Sequence, residues 1–516
     1  MERHDPGRSR NIRRNFVSGV IQRAVSLLLP FVVRTIILYS LGEMYLGLGS
    51  LFTSVLQVLN LAELGVGSAL IFSMYEPMAH DDKPKIRALL ALYRKLYRYI
   101  GLAILVLGLA AVPLLPRIVK ETLPDGLNLY LLYAVYLANA VLSYFFFAYR
   151  ESLLNASQRV STLNNIQLAV NILICGAQVA FLLLTKNYYL YCIVIVAGTI
   201  LRNVFVYFAT KRFFPDIEPE GEIGKEQMAD IKKRTAGMFC YRLCSVTRNS
   251  FDTIILTAFL GLVIAGRYNN YFLIYSTLTG FLQIISASAT ASVGNSIVLE
   301  SQQKNHDDFE QLILLTLWIA GACMGCLMLL YQPFMTLWAG PDKLLSEGTM
   351  IWISFYFFVN MLGITCATYR SAAGIWWEDR FRPFAEALLN PILNIILVRR
   401  LGVSGVVLSS VICLLSIGNI WGSRMLFKLY FTEFSQKKYL LKLLFYTLVT
   451  CFGCGLAYLT VRLLGVGSLL LRIPFAVLIP NTVFFLCYRT LPEFGGLMKR
   501  LPALLPNRIG KLLHLS

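Results

Sequence analysis

The chain has 516 residues, of which 57% are hydrophobic and only 15% charged, and its mean hydropathy is +0.63. A water-soluble chain of this length keeps about a quarter of its residues charged, so a soluble multidomain protein is excluded. The net charge of +19 comes from 47 Lys+Arg against 28 Asp+Glu. These cations fall between apolar runs and form no stripe, which reads as topology-setting loop charge and not as a nucleic-acid surface.

Apolar stretches long enough to cross a hydrocarbon core of about 30 Å as helices recur from Phe16 to Cys487. In chain order they cover 15–40, 45–73, 97–115, 127–149, 162–184 and 188–210. A second set follows at 235–260, 268–298, 311–338, 348–369, 384–398 and 403–427, and two more at 439–461 and 466–488. The span at 384–398 is short and holds Asn390-Pro391. The alternating pattern of barrel strands is absent. The fold class is therefore an all-α integral membrane protein of about 14 transmembrane helices. Residues 1–14 are polar and basic and run into the first span without a small-residue cleavage site, so no cleavable signal is expected.

Loop charge sets the orientation. With the N-terminus in the cytoplasm, most Lys and Arg fall on the inner side, including Lys499, Arg500, Arg508 and Lys511 of the tail. That bias predicts an even number of spans, with both termini inside. The longer loops, 74–96 and 211–234, are then cytoplasmic. The first carries Arg94, Lys95 and Arg98 on a helical pattern beside Tyr93 and Tyr97, which predicts a segment lying along the anionic inner leaflet.

An internal repeat runs through the chain. Arg34-Thr-Ile-Ile-Leu, followed by Leu41-Gly42, matches Asp252-Thr-Ile-Ile-Leu, followed by Leu260-Gly261. Tyr149-Arg150 at the end of the fourth span matches Tyr369-Arg370 at the end of the tenth, 220 residues on. An even number of spans separates the copies, so the halves share one orientation and form a parallel repeat. The expected division is an N-lobe at 1–232, a C-lobe at 233–430, and two added helices with a basic tail at 431–516.

Charged groups inside spans are costly, by about 3 kcal/mol at the bilayer centre, and tend to face a cavity or a partner. The first span carries Arg23 and Arg34, about 20° apart on the helical wheel, with Pro30 on the same stripe. This face is cationic and kinked; the alternative is that the two arginines snorkel to opposite interfaces. The seventh span carries Arg242, Arg248 and Asp252, the last two spaced to pair along one helix face. Arg34 and Asp252 hold equivalent places in the repeat, which makes them candidates to face each other. Glu63 shares a face with Asn60 and Gly67 and serves either as a hydrogen-bonded structural acid or in coupling and gating. Asn164, Asn165, Asn171, Asn390 and Asn394 are expected to bond helix to helix.

Other chemistries find little support. All four His, at 4, 80, 306 and 514, are peripheral, which excludes a His proton relay within the spans. All eleven Cys lie in apolar segments, and the Cys323/Cys326 and Cys451/Cys454 spacings sit in helical Gly- and Leu-rich runs without the polar turns of metal or redox sites. No metal, disulfide or cofactor is expected. A membrane glycosyltransferase, polymerase or ligase needs catalytic residues and a sizeable outer loop, and neither is present. Several arginines with few acids suit an anionic headgroup, because guanidinium forks match phosphate oxygens. A large amphiphile with an anionic head and an apolar tail fits best.

The runs Leu61-Ala-Glu-Leu-Gly-Val-Gly-Ser-Ala-Leu70 and Phe72-Ser-Met-Tyr-Glu-Pro-Met-Ala79 resemble the second span of Wzx-type polysaccharide flippases. Gly266-Arg-Tyr-Asn-Asn-Tyr271 and Ala291-Ser-Val-Gly-Asn-Ser296 resemble their eighth span, and Leu401-Gly-Val-Ser-Gly-Val406 the entry to their twelfth. The likeness covers most of residues 10–430 and lies within the multidrug/oligosaccharidyl-lipid/polysaccharide (MOP) superfamily. It implies two six-helix lobes around a central cavity, alternating access, and residence in the bacterial inner membrane. The implied substrate is an undecaprenyl-diphosphate-linked glycan repeat unit, carried to the outer leaflet for the polymerase machinery of O-antigen, capsule or exopolysaccharide assembly. The family's cavity is cationic, and Arg23, Arg34, Arg242 and Arg248 are the candidates by chemistry, with Glu63 and Asp252 for coupling or gating. Drug antiporters of the superfamily often carry an acid in the first span, and residues 15–40 have none. That departure leaves the coupling ion, H⁺ or Na⁺, open. The lipid II flippase branch and a small-molecule exporter are the alternatives. The expected gate is formed by the outer turns near Glu43 and Arg267.

Overall fold

The structure is a computed structural model that describes residues 6–60, 66–224, 228, 231, 248, 250–375 and 378–504. Among the described residues there are helices and turns but no strands. Among the described residues nine helices are long and apolar enough to cross a membrane, and the pair Leu129–Phe145 and Ala148–Ala156, bent by 48°, makes a tenth when taken as one span. A backbone in hydrocarbon has no water to bond, so it satisfies its own N–H and C=O groups, and the helix is the open-chain solution.

Packing divides the chain into two compact units, Met1–Asn269 and Asn270–Ser516. In the first, α1 (Pro6–Ser40), α2 (Glu43–Leu59), α3 (Val66–Ala79) and α4 (Lys83–Ala111) are followed by α5 (Leu129–Phe145), α6 (Val160–Thr185) and α7 (Tyr188–Phe213). The short apolar helix α8 (Ser250–Leu260) and the start of α9 (Leu262–Leu299) complete it. Here α1 packs on α6, α6 on α7, and α5 on both α4 and α7.

The second unit centres on α10 (Gln302–Ala339), which packs against α11 (Glu347–Leu362), α16 (Gln436–Leu463) and α17 (Leu469–Tyr488). Between these lie α12 (Ile364–Ala372), α13 (Phe381–Leu401), α14 (Val403–Cys413) and α15 (Gly422–Leu429), and α18 (Pro492–Leu504) follows. The short span read at 384–398 is longer in the structure and continues through Pro391. Asn390 donates to Ser410 Oγ at 3.0 Å, and Asn394 bonds Ser409, so these amides tie α13 to α14 as expected.

Two features depart from the sequence reading. The stretch 74–96 is almost wholly helical: α3 runs to Ala79, and α4 begins at Lys83 after a tight turn. Asp82 caps α4 by accepting from Lys85 N at 3.1 Å, and Pro84 fits the first turn, where its missing N–H costs nothing. The twelfth span is interrupted by a π-helical stretch, Leu414–Trp421, in which Asn419 Nδ2 donates to Leu414 O at 3.0 Å. Such stretches insert a residue into the helical ladder and often mark positions where a neighbouring side chain needs room.

Candidate functional site

Arg34 lies half-buried on α1, one turn beyond Pro30. Within electrostatic reach of its guanidinium are the phenols of Tyr191, Tyr188 and Tyr136, from α7 and α5. These rings hold one another. Tyr136 and Tyr188 share a hydroxyl–hydroxyl bond of 3.2 Å, Tyr188 donates to the carbonyl of Tyr45 at 3.1 Å, and Tyr188 stacks on Tyr191 at 5.3 Å between centroids. A cation beside hydroxyl-bearing rings can grip an anionic oxygen and offer flat faces and hydrogen bonds to a polar ligand.

Below it on α1, a polar relay crosses three helices. Asn171 Nδ2 of α6 donates to Ser26 Oγ at 3.1 Å, and Gln167 Nε2 donates to Asn171 Oδ1 at 2.6 Å. Arg202 of α7 donates to Gln167 through Nε, and its Nη2 reaches Glu151 Oε2 at 2.7 Å. Asn171 therefore does the helix-to-helix bonding the sequence predicts. The reach of the relay to Arg202 and Glu151 was not visible in the sequence, because its members are 35 and 51 residues apart with no common period.

Asp252 on α8 is only 1% exposed, and Tyr268 Oη approaches its Oδ2 at 3.5 Å. Near by, Ser250 Oγ bonds Gln57 Oε1 at 3.1 Å, and Thr253 bonds Asn269. Arg248 is half-buried one turn before Asp252. Arg23 lies on α1 with its side chain outside what the structure describes, and Arg242 and Glu63 lie outside the described residues.

The turns near Glu43 and Arg267 are joined by an ion pair. Arg267 grips Glu43 with both arms: Nε lies 3.0 Å from Oε1, and Nη2 lies 2.9 Å from Oε2. The partners are 224 residues apart in sequence. Close approach of α2 and α9 allows it, since a Cβ on Gly47 would run into the carbonyl of Leu262. Beside this contact, Glu121 Oε2 accepts from the backbone N–H of Leu262 at 2.9 Å.

The repeat pair Tyr-Arg is alike in its surroundings in both units. Arg150 is 1% exposed, donates to Glu218 Oε2 at 2.5 Å and lies 5.0 Å over the Tyr207 ring. Arg370 is 7% exposed and reaches Asp379 Oδ2 at 3.6 Å, a carboxylate that Arg382 also holds, at 2.8 Å. In each case a carboxylate further along the chain neutralises a buried guanidinium.

Among the described residues no group of His, Cys, Asp and Glu has the arrangement of a metal site. The sequence profile described as "Polysaccharide biosynthesis protein" matches residues 12–291. No curated protein matches the sequence. Among solved structures, the chain is similar to one titled "Lipid II flippase MurJ, inward closed conformation", with a TM-score of 0.66 at 16% identity over 92% of this chain and 99% of that one. It is also similar to an inward-facing multidrug resistance MATE family transporter of the MOP superfamily, with a TM-score of 0.61 at 15% identity over 80% of this chain and 98% of that one. At these identities the likenesses show the fold alone; the membrane-length helices make this a multi-pass membrane protein. The profile match covers more than half of the sequence, and the chain belongs to the polysaccharide biosynthesis protein family.

Proposed function

We propose that this protein flips undecaprenyl-diphosphate-linked oligosaccharide repeat units from the cytoplasmic to the outer leaflet of the bacterial inner membrane, as Wzx-type flippases do. The observation that carries this reading is Arg34: a guanidinium on a membrane helix, among three tyrosines, inside the segment that matches the polysaccharide biosynthesis family. The diphosphate takes the arginine fork. Arg23, Arg242 and Arg248 supply further positive charge, and the glycan lies against Tyr136, Tyr188 and Tyr191. The polyprenyl tail stays in lipid. Covalent chemistry has no part in this cycle, and the protein is not an enzyme.

Fourteen spans carry the cycle, with both termini in the cytoplasm. Residues 1–232 rock against 233–430, while 431–516 add two helices and a basic tail. Opening to the outside requires the Glu43–Arg267 pair to part, and Glu63 and Asp252 couple or gate the change with H⁺ or Na⁺. The released repeat unit passes to the polysaccharide polymerase machinery.

Depletion of the protein followed by leaflet-resolved extraction of lipid-linked glycans tests the reading. A complete repeat unit should build up on the cytoplasmic side. Build-up of the peptidoglycan precursor instead would turn the assignment to a lipid II flippase. No build-up, with surface polysaccharide unchanged, would refute a flippase and leave small-molecule export.

A further inference from the structure

A cationic cavity lies on α4, with Arg34 not among its lining residues. It occupies about 520 Å³ and is lined on one side by Arg94, Lys95, Arg98 and Tyr99 of α4, and on the other by Glu222 and Ile223 of the loop after α7. That loop is fixed in place. Arg87 Nη2 donates to Asp216 O at 2.6 Å, and Arg94 Nη2 donates to Pro219 O at 3.3 Å. Lys83 pairs with Asp216, and Arg150 and Lys211 both hold Glu218. Three cations against one carboxylate line the cavity, and Lys95 and Arg98 are both exposed.

The helix itself fixes the depth of this cavity in the bilayer. One face of α4, including Tyr93, Tyr97, Ile100 and Ile104, is buried. The opposite face continues from Lys95 and Arg98 through Tyr99, Leu102, Val106 and Leu109, which are exposed at 59, 52, 58 and 57%. These positions recur every three or four residues and form one stripe. From Tyr99 to Leu109 the stripe is about 15 Å long, half of a hydrocarbon core of about 30 Å. The cations therefore end an exposed apolar strip on the membrane-length helix Lys83–Ile118.

We infer that this cavity is a binding site for the phosphate headgroup of a lipid in the leaflet that α4 enters, with one acyl or prenyl chain lying along Tyr99, Leu102, Val106 and Leu109. Guanidinium and ammonium donors at the rim bind the phosphate, and Tyr99 is an interfacial ring of the kind that seats at headgroup level. Two lipids carry this chemistry, a bulk anionic phospholipid and a polyprenyl diphosphate. The site goes beyond the Arg34 reading and stands without it.

The test is native mass spectrometry of the full-length protein in detergent, titrated in turn with phosphatidylglycerol, phosphatidylcholine and undecaprenyl diphosphate. The wild type should retain one phosphatidylglycerol or one undecaprenyl diphosphate in preference to phosphatidylcholine. Lys95→Gln/Arg98→Gln, which leaves Arg94 to hold the loop, should weaken that retention about thirtyfold, and Lys95→Arg/Arg98→Lys should restore it. If the double neutral variant does not fold, Arg98→Gln alone should weaken retention about fivefold. Preference for phosphatidylglycerol identifies a bulk-lipid site; displacement of phosphatidylglycerol by undecaprenyl diphosphate identifies a docking point for the substrate. Equal retention of phosphatidylcholine, or unchanged retention in the neutral variants, overturns the inference. Arg34→Gln, run alongside, should keep this lipid even where it loses transport, so failure of one site is distinguishable from failure of the other.

Discussion

At the scale of single residues, the arginines are the most informative side chains. Arg202 bonds Glu151, Arg150 bonds Glu218, and Arg370 and Arg382 share Asp379. These pairs neutralise cations that a low-dielectric interior would otherwise expel, and breaking one from the acid side leaves a buried charge uncompensated. Asp379→Asn should therefore destabilise the protein by about 3–5 kcal/mol, seen as a lowered thermal unfolding midpoint in detergent. Arg34 lies within electrostatic reach of three phenols, and Arg34→Gln should cut transport by tenfold or more. Arg34→Lys, which keeps the charge but loses the fork, should fall between. Glu218 gives a pH test outside the membrane. Burial alone would raise its carboxyl, but the Lys211 ammonium and the Arg150 guanidinium outweigh burial and hold it below the usual carboxylate range. A depressed acid stabilises above its unfolded pKa and loses that stabilisation as the pH falls through the folded value. Protection of the loop at 214–222 against hydrogen exchange, corrected for intrinsic rates, should thus be flat from about pH 8 to 5 and fall only below about pH 4. Arg34 was legible in the sequence because a guanidinium amid apolar residues stands out. Its tyrosines were not, because Tyr136, Tyr188 and Tyr191 come from helices more than a hundred residues away, and tyrosine in a span is ordinary.

At the scale of elements, hydropathy located the helices well and their interruptions poorly. The bend between Phe145 and Ala148, the break at Gly363 and the π-helical stretch Leu414–Trp421 all fall inside runs that read as continuous spans. The π-helical stretch adjoins a tertiary contact that no local pattern carries. A Cβ on Gly422, just past the π-helical stretch, would run into Arg370 Nη1, so this part of the helix yields to a buried guanidinium on α12. The turn at 80–82 was misread for the opposite reason. Charged residues on both sides of it looked like loop, yet Asp82 and Pro84 start a helix whose first turns are cationic and whose later turns are apolar. The α2–α9 crossing is the element on which the proposed cycle turns. Gly47→Val should force the two helices apart, at a cost of about 1–3 kcal/mol, and loosen the Glu43–Arg267 latch. Glu43→Arg and Arg267→Glu should each impair transport, whereas the double reversal should recover a good part of it, because it restores a pair between the same two helix ends. If the double variant is no better than the worse single one, the latch has no role in transport.

At the scale of the whole molecule, the excess of 47 Lys+Arg over 28 Asp+Glu is a statement about sidedness. The basic start of α4 and the loop it binds, with Arg87, Arg94 and Lys211 among their contacts, form one cluster in the first unit. A cluster of that size has to lie on one side of the membrane. If that side is the cytoplasm, His80 and Glu433 are inside, while Asp125 and Asp342 are outside, each on an exposed connection between helices. Single cysteines at the four positions test this in intact cells with a membrane-impermeant maleimide. The described natural cysteines lie in apolar helices, away from the connections that carry the four labelled positions. Asp125→Cys and Asp342→Cys should label before permeabilisation, and His80→Cys and Glu433→Cys only after it. The pairs were chosen so that the answer reports span parity as well as orientation. His80 and Asp125 flank the membrane-length helix Lys83–Ile118, and Asp342 and Glu433 are separated by three proposed spans. Labelling of both members of either pair from the outside would remove a span from the count, and for His80 and Asp125 it would also place the halves of the repeat in opposite orientations. Labelling of all four in the reverse sense would keep the count, put the cationic end of α4 outside the cell, and move the lipid site on α4 to the outer leaflet.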